Sequence, residues 1–116
     1  MGMKRISEVI EKKQGPFGDV DYYSLAKNPT LLNRDVVIND IRFLESNTGE
    51  YAAILVDGSP FNTASPEGKV GVFVVSTGAK VIMEKLKEVV EKEFLPIKAR
   101  FVMNRSKEGN IWYDIE

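Results

Sequence analysis

The stretch that decides the fold is KVGVFVVSTGAKVIMEKLKEVVEKEFLP, residues 69–96. It begins with an apolar, β-branched run at residues 70–75, which is typical of a buried strand. The pattern changes at Ser76 and Thr77, whose hydroxyls can accept hydrogen bonds from the first turn of a helix. After them the apolar residues recur with helical spacing, and one face carries Ile82, Leu86, Val89, Val90 and Phe94. Because Pro96 ends this pattern, the stretch predicts a strand followed by an amphipathic helix over residues 79–95.

A strand with a change of phase precedes this stretch. Val36 and Ile38 occupy even positions, whereas Ile41 and Phe43 occupy odd ones, so the alternation slips at residues 39–40. One extra residue in a strand produces such a slip, which predicts a β-bulge that bends the strand. Residues 47–50 then predict a hairpin loop with Gly49 at positive φ, and residues 51–57 predict a second strand.

Two more strands are expected after the helix. Residues 97–105 alternate between apolar and polar side chains, and residues 106–110 contain the turn residue Gly109. Residues 111–115 then form the last strand. The side chains predicted to face the core from these two strands are Ile97, Ala99, Phe101, Met103, Ile111, Tyr113 and Ile115.

The N-terminal part of the chain has a weaker pattern. Residues 4–14 predict a short helix, and residues 15–33 predict a turn-rich segment that packs along the core. The length of 116 residues is enough for one core. We therefore expect a single domain in which residues 1–34 are an N-terminal extension packed on residues 35–116.

The composition excludes several kinds of site. There is no cysteine and no histidine, which removes disulfides, thiolate zinc sites and nucleophiles activated by histidine. The close acidic pairs, Asp19 with Asp21 and Asp35 with Asp40, stand at expected turns or strand edges, where acids normally cap or are solvated. We therefore expect no enzyme, no cofactor and no metal site. No apolar run approaches the roughly 20 residues of a membrane span and no signal peptide opens the chain, so we expect a cytoplasmic protein without a membrane partner.

The predicted order of elements in residues 35–116 resembles that of an OB-fold. That fold is a five-stranded Greek-key barrel with a helix between strands three and four, and its loops after strands one and four flank a ligand cleft. Here those loops are residues 47–50 and 106–110. The segments NTGEYAAILVDG and SKEGNIWYDIE resemble single-stranded-DNA-binding proteins of the prokaryotic and phage kind. The resemblance implies a mainly β protein that binds single-stranded nucleic acid, DNA rather than RNA, in DNA replication or repair. A homo-oligomer is compatible with it.

Binding of single strands requires cations along the backbone and aromatic rings on which bases stack. If Arg105 pairs with Ile111, Trp112 lies opposite Asn104 and faces outward with the cations of the preceding strand. The alternative is that Trp112 packs against residues 15–33, and a cluster of cations is often only a solvated face. The full set of candidate nucleic-acid-binding residues is Trp112, Arg100, Arg105, Lys107, Lys98, Phe61, Phe73, Lys69, Arg42 and Tyr51.

Some of these candidates have a clear structural alternative. Phe73 shares a face with Gly71 and Val75, and that face is outside the barrel only if Val70, Val72 and Val74 fill the interior. Otherwise Phe73 is a core residue. Two other functions also remain open: an OB-fold module for protein–protein interaction, and a barrel that binds an oligosaccharide or small ligand.

Overall fold

The computed structural model describes residues 17–116, so the helix expected at residues 4–14 lies outside the described residues. The described chain contains six strands and one α-helix. These are β1 (Tyr22–Ser24), β2 (Asp35–Ser46), β3 (Gly49–Asp57), β4 (Val72–Thr77), α1 (Lys80–Glu91), β5 (Ile97–Arg105) and β6 (Ile111–Ile115). Two short 3-10 helices, Pro29–Leu31 and Ser59–Phe61, lie in the connections.

The six strands form one curled sheet in the order β1-β4-β3-β2-β5-β6. The four pairings from β4 through to β6 are antiparallel. This confirms a mainly β fold with the helix between the third and fourth strands of residues 35–116. The sixth strand, β1, comes from the segment expected to be turn-rich, and it pairs in parallel with β4 from Tyr22 opposite Val74 to Ser24 opposite Ser76. Its three residues are too few to show an alternation in the sequence.

The predicted β-bulge is confirmed. Ile38 pairs with Val56, but the next pair along the ladder joins Asp40 to Leu55, so Asn39 is the extra residue. On one side of the bulge β2 pairs with β5, and on both sides it pairs with β3. Because a bulge bends its strand, β2 can serve as the shared middle strand of a strongly curved sheet.

The core lies between the concave face of the sheet and α1. The largest fully buried side chains include Ile38 and Val56 from the sheet and Ile82 and Leu86 from the helix. The helix ends at Glu91, earlier than predicted, and Phe94 is 55% exposed beyond it. The predicted helical face therefore extends one turn too far.

The inward face of the β5–β6 hairpin is buried for only half of its length. Phe101 and its partner Ile115 are buried, but Met103 and Ile111 are 49% and 52% exposed. The prediction that Met103 and Ile111 contact the core is wrong. Alternation shows which face of a strand a side chain is on, but it does not show how far the elements that cover this face extend. Within the described residues, no helix is long and apolar enough to cross a membrane.

Candidate nucleic-acid interface

Asp35 holds two of the predicted cations. The Arg100 guanidinium donates from Nε to Oδ1 of Asp35 at 2.8 Å, and its Nη2 lies 2.7 Å from the same oxygen in an ion pair. The Nζ of Lys98 lies 3.9 Å from Oδ2 of the same carboxylate. The register of β2 and β5 causes this arrangement, because Asp35 is opposite Arg100 and Val37 is opposite Lys98. Side chains opposite each other in a ladder share a face, so the three charged groups meet on the outward face of the sheet.

The loop after β3 adds an aromatic ring to these charges. The Lys98 ammonium lies 4.8 Å from the centroid of the Phe61 ring, within the range of a cation–π contact. Phe61 ends the short helix Ser59–Phe61, and the buried Thr63 ties this loop to β2 by donating its hydroxyl to the Asp35 carbonyl at 2.6 Å. The ring is thus held beside the ion pair by the backbone of the loop.

Two adjacent cavities open around the ion pair. One of about 300 Å³ is lined by Asn33, Arg34, Asp35, Phe61, Asn62, Thr63 and Arg100. The other, of about 380 Å³, is lined by Asp35, Lys98, Ala99, Arg100 and Glu116. We call the surface formed by Arg34, Asp35, Phe61, Asn62, Lys98 and Arg100 the basic cleft. It carries three cationic side chains against Asp35, with Glu116 at its rim.

Arg34 and Asn62 of the basic cleft, and Asn33 beside it, were not predicted from the sequence. Arg34 donates from Nη1 to the Ala64 carbonyl at 2.9 Å, which holds its side chain over the loop. Asn33 and Asn62 both have left-handed backbones, with φ of 63° and 54°. Such conformations are uncommon for residues other than glycine and concentrate at functional sites. The only signal in the sequence was an arginine next to the aspartate at the start of a strand.

Trp112 lies on the same face of the sheet, farther along the hairpin. It is opposite Asn104, as predicted, and it is 38% exposed. Val102 and Arg100 lie on the same face of β5 as Asn104, because side chains alternate along a strand. At the usual rise per residue, Arg100 is about 13 Å along the strand from Asn104. The indole and the basic cleft therefore lie on one continuous outward surface.

Arg105 does not belong to this surface. It is exposed, but it is opposite Ile111 and shares a face with Met103, whereas Trp112 points to the other face. Arg105 is at an odd position and Arg100 at an even one, so the expectation that both point outward with Trp112 is wrong. Lys107 is exposed in the turn between β5 and β6.

The remaining surface candidates are dispersed. Lys69 pairs with Glu67 at 3.8 Å in the loop before β4, and the Arg42 guanidinium lies 5.0 Å from the centroid of the Phe17 ring. Tyr51 is half-buried, and partial desolvation together with the neighbouring hydroxyl of Tyr22 raises its pKa. None of these three side chains lines the basic cleft.

Tyr51 instead borders a separate cavity of about 450 Å³. Tyr113 of β6 and Thr77 at the end of β4 line the same cavity, together with Gly78 and Ala79. The two strands thus face each other across an open space, and within residues 17–116 no ladder joins them. The curled sheet is open at this seam.

Phe73 is a core residue, and its assignment to the binding surface is wrong. It is 2% exposed and packs edge-on against Tyr23, with ring centroids 5.9 Å apart and an interplanar angle of 76°. Of the three residues expected to fill the interior instead of it, Val70 and Val72 are 59% and 49% exposed, whereas Val74 is buried. The sequence could not show which face of this strand is inside, because both faces are apolar.

The described residues contain no group of three acidic side chains that could hold a metal ion. No protein-family model matches the chain, and no curated protein or solved structure is significantly similar to it. The function must therefore be inferred from the geometry of its own side chains.

Proposed function

We propose that this protein binds single-stranded nucleic acid, DNA rather than RNA, along the surface that joins the basic cleft to Trp112. The observation that carries the proposal is the convergence of Arg34, Lys98 and Arg100 beside the Phe61 ring, with an exposed indole on the same face. Cations that track the backbone and rings that stack on bases are the two requirements for binding a single strand.

The proposed fold is an OB-type barrel with an added strand. The strands from β4 to β6 run in the order β4-β3-β2-β5-β6, with α1 between the third and fourth of them in the chain. This order supports the proposal. The strand β1, which is added at the edge of β4, and the open seam between β4 and β6 are the two features that a closed five-stranded barrel lacks.

The proposal predicts a preference for single-stranded DNA over RNA and over a duplex, which a competition experiment can measure. A fluorescently labelled oligo-dT is bound first, and unlabelled oligo-dT, oligo-U and a duplex are then added as competitors while anisotropy is recorded. We expect oligo-dT to compete best and the duplex to compete least, because paired bases cannot stack on Phe61 or Trp112. Equal competition by the duplex would contradict single-strand binding.

A protein–protein module is the second candidate function, and one observation favours it. Val70, two residues before β4, and Val72, its first residue, are both exposed, and they lie beyond the part of the β4 edge that β1 covers. Exposed apolar residues on an open strand edge are suited to pairing with another chain. Self-association that persists at high salt, without binding of oligo-dT, would favour this function over the first.

A further inference from the structure

Asp35 already forms ion pairs with two of the three cations in the basic cleft, at close range with Arg100 and at 3.9 Å with Lys98. Nε of Arg100 donates to Oδ1 of this carboxylate, and Nη2 lies 2.7 Å from the same oxygen. A guanidinium fork binds the oxygens of a carboxylate and of a phosphate with the same donors. A phosphate oxygen therefore cannot use these donors while Asp35 holds them.

The Asp35 carboxylate can move away from Arg100 without any change in the backbone of β2. The side chain is 29% exposed, and within the described chain its carboxylate accepts hydrogen bonds from no group other than Arg100. The position of its backbone is fixed separately, because the Asp35 carbonyl accepts the hydrogen bond from Thr63 and the residue pairs with Arg100 in the ladder. The carboxylate can thus swing into solvent while the strand stays in place.

We propose that Asp35 is an internal competitor for backbone phosphate, which sets the affinity and the salt dependence of the cleft. This inference rests on the proposed function, because it assigns the regulation of that same site. In the free protein Asp35 neutralises part of the cleft and keeps Arg100 oriented. In the complex a phosphate takes its place at Arg100 and Lys98, and the displaced carboxylate repels the phosphate. Binding is therefore weaker than three cations would otherwise give.

The test compares two variants that remove the same charge. Asp35→Asn removes the competitor and keeps the shape of the side chain. Glu45→Gln is the matched control, because Glu45 is exposed near the far end of β2 and makes no ion pair within residues 17–116. Affinity for labelled oligo-dT is measured by anisotropy at several salt concentrations. Asp35→Ser repeats the measurement with a shorter side chain, and circular dichroism checks that each variant is folded.

We expect Asp35→Asn and Asp35→Ser to bind oligo-dT about 5- to 30-fold more tightly than the original protein at low salt, since a nearby unit charge acts strongly at a partly shielded surface. The salt slope should steepen by about 0.7 for each phosphate contact that Asp35 no longer offsets. Glu45→Gln should change affinity less than about twofold, because its charge is beyond the screening length. If the original protein binds and Asp35→Asn binds no better than Glu45→Gln, Asp35 is not a competitor. If neither the original protein nor Asp35→Asn binds oligo-dT, the proposed function itself fails.

Discussion

At the scale of single residues, the proposed binding surface combines charged side chains with an aromatic ring that can stack on a base. Arg100 is held in place by Asp35, whereas Trp112 stands 38% exposed on the same face of β5 and β6. Contacts between a cationic side chain and a phosphate are screened by salt, whereas stacking contacts between a ring and a base are not. Substitutions at the two positions should therefore have different salt signatures.

Trp112→Ala should weaken binding of oligo-dT by about 5- to 150-fold, because a base–aromatic stack is worth about 1–3 kcal/mol. The loss should be similar at low and high salt. Trp112→Phe should recover much of the affinity, since a ring face remains. Ile111→Ala is the matched control, as its side chain is 52% exposed and points to the opposite face. A large fall in melting temperature with unchanged affinity per folded molecule would show that Trp112 serves packing instead.

Arg100→Gln and Arg105→Gln remove the same charge from the two faces of one strand. We expect Arg100→Gln to weaken oligo-dT binding about tenfold, the value of one charge-assisted hydrogen bond, and to reduce the salt slope by about 0.7. Arg105→Gln should have a smaller effect on both quantities. Titrations at several salt concentrations measure them. A larger effect from Arg105 would place the nucleic acid on the other face of the hairpin, beside Met103 and Ile111.

At the scale of elements, the loop after β3 positions the aromatic side of the cleft. A Cβ added to Gly58 would lie 2.4 Å from the Thr63 carbonyl oxygen, a backbone atom that cannot move away without opening the loop. Gly58→Ala should therefore cost about 1–3 kcal/mol of stability and displace Phe61. Gly78→Ala is the control, because its added Cβ meets nothing closer than 3.5 Å. The melting temperature and the oligo-dT affinity should both fall for Gly58→Ala and not for Gly78→Ala. Equal melting temperatures of the two variants would contradict the account of the loop.

The contact between α1 and β6 should give the fold a dependence on pH. Partial burial acts to raise the pKa of Asp114, but hydrogen bonds from Lys85 and from the Ile115 N–H outweigh it, so the pKa is lowered. A lowered pKa in the folded state means that the stabilisation is present above about pH 4 and is lost as the pH falls through the folded value. Because Lys85 is half-exposed, we expect its ion pair with Asp114 to contribute at most about 1 kcal/mol to the free energy of unfolding.

Melting temperatures of the original protein and of Asp114→Asn measure this contribution. The two should differ at neutral pH and converge as the solution is acidified. Glu88→Gln is the control, since the pKa of Glu88 is lowered by Lys92 at an exposed position on α1, and we expect a smaller difference there. A gap that stays constant down to low pH would show that the Asp114 carboxylate does not act through its charge.

At the scale of the whole molecule, patterns within single elements could be predicted from the sequence. The bulge at Asn39 follows from a phase slip, and the position opposite Asn104 for Trp112 follows from the turn at residues 106–110. Contacts between distant segments could not be predicted in the same way. β1 pairs in parallel with β4 across about fifty residues, and the cleft unites Arg34, Phe61 and Arg100 from three separate segments.

Each wrong or missing prediction depends on contacts between segments that are distant in the sequence. Phe73 was misplaced because both faces of β4 are apolar, and Met103 because alternation does not show where the covering elements end. The contact of Asp35 with Arg100 was not predicted because an acidic residue at a strand edge normally serves as a cap, and only the pairing of β2 with β5 brings the two side chains together.

The most direct test of the central claim is a titration with oligo-dT followed by the fluorescence of Trp112, the only tryptophan in the chain. The account predicts quenching that saturates, with an association constant whose logarithm falls linearly with the logarithm of the salt concentration. Three phosphate contacts, at Arg34, Lys98 and Arg100, give a slope no steeper than about −2 for a single strand, and Asp35 makes the slope of the original protein shallower. No change in Trp112 fluorescence at any protein concentration, or a binding constant independent of salt, would contradict the claim that this surface holds single-stranded nucleic acid.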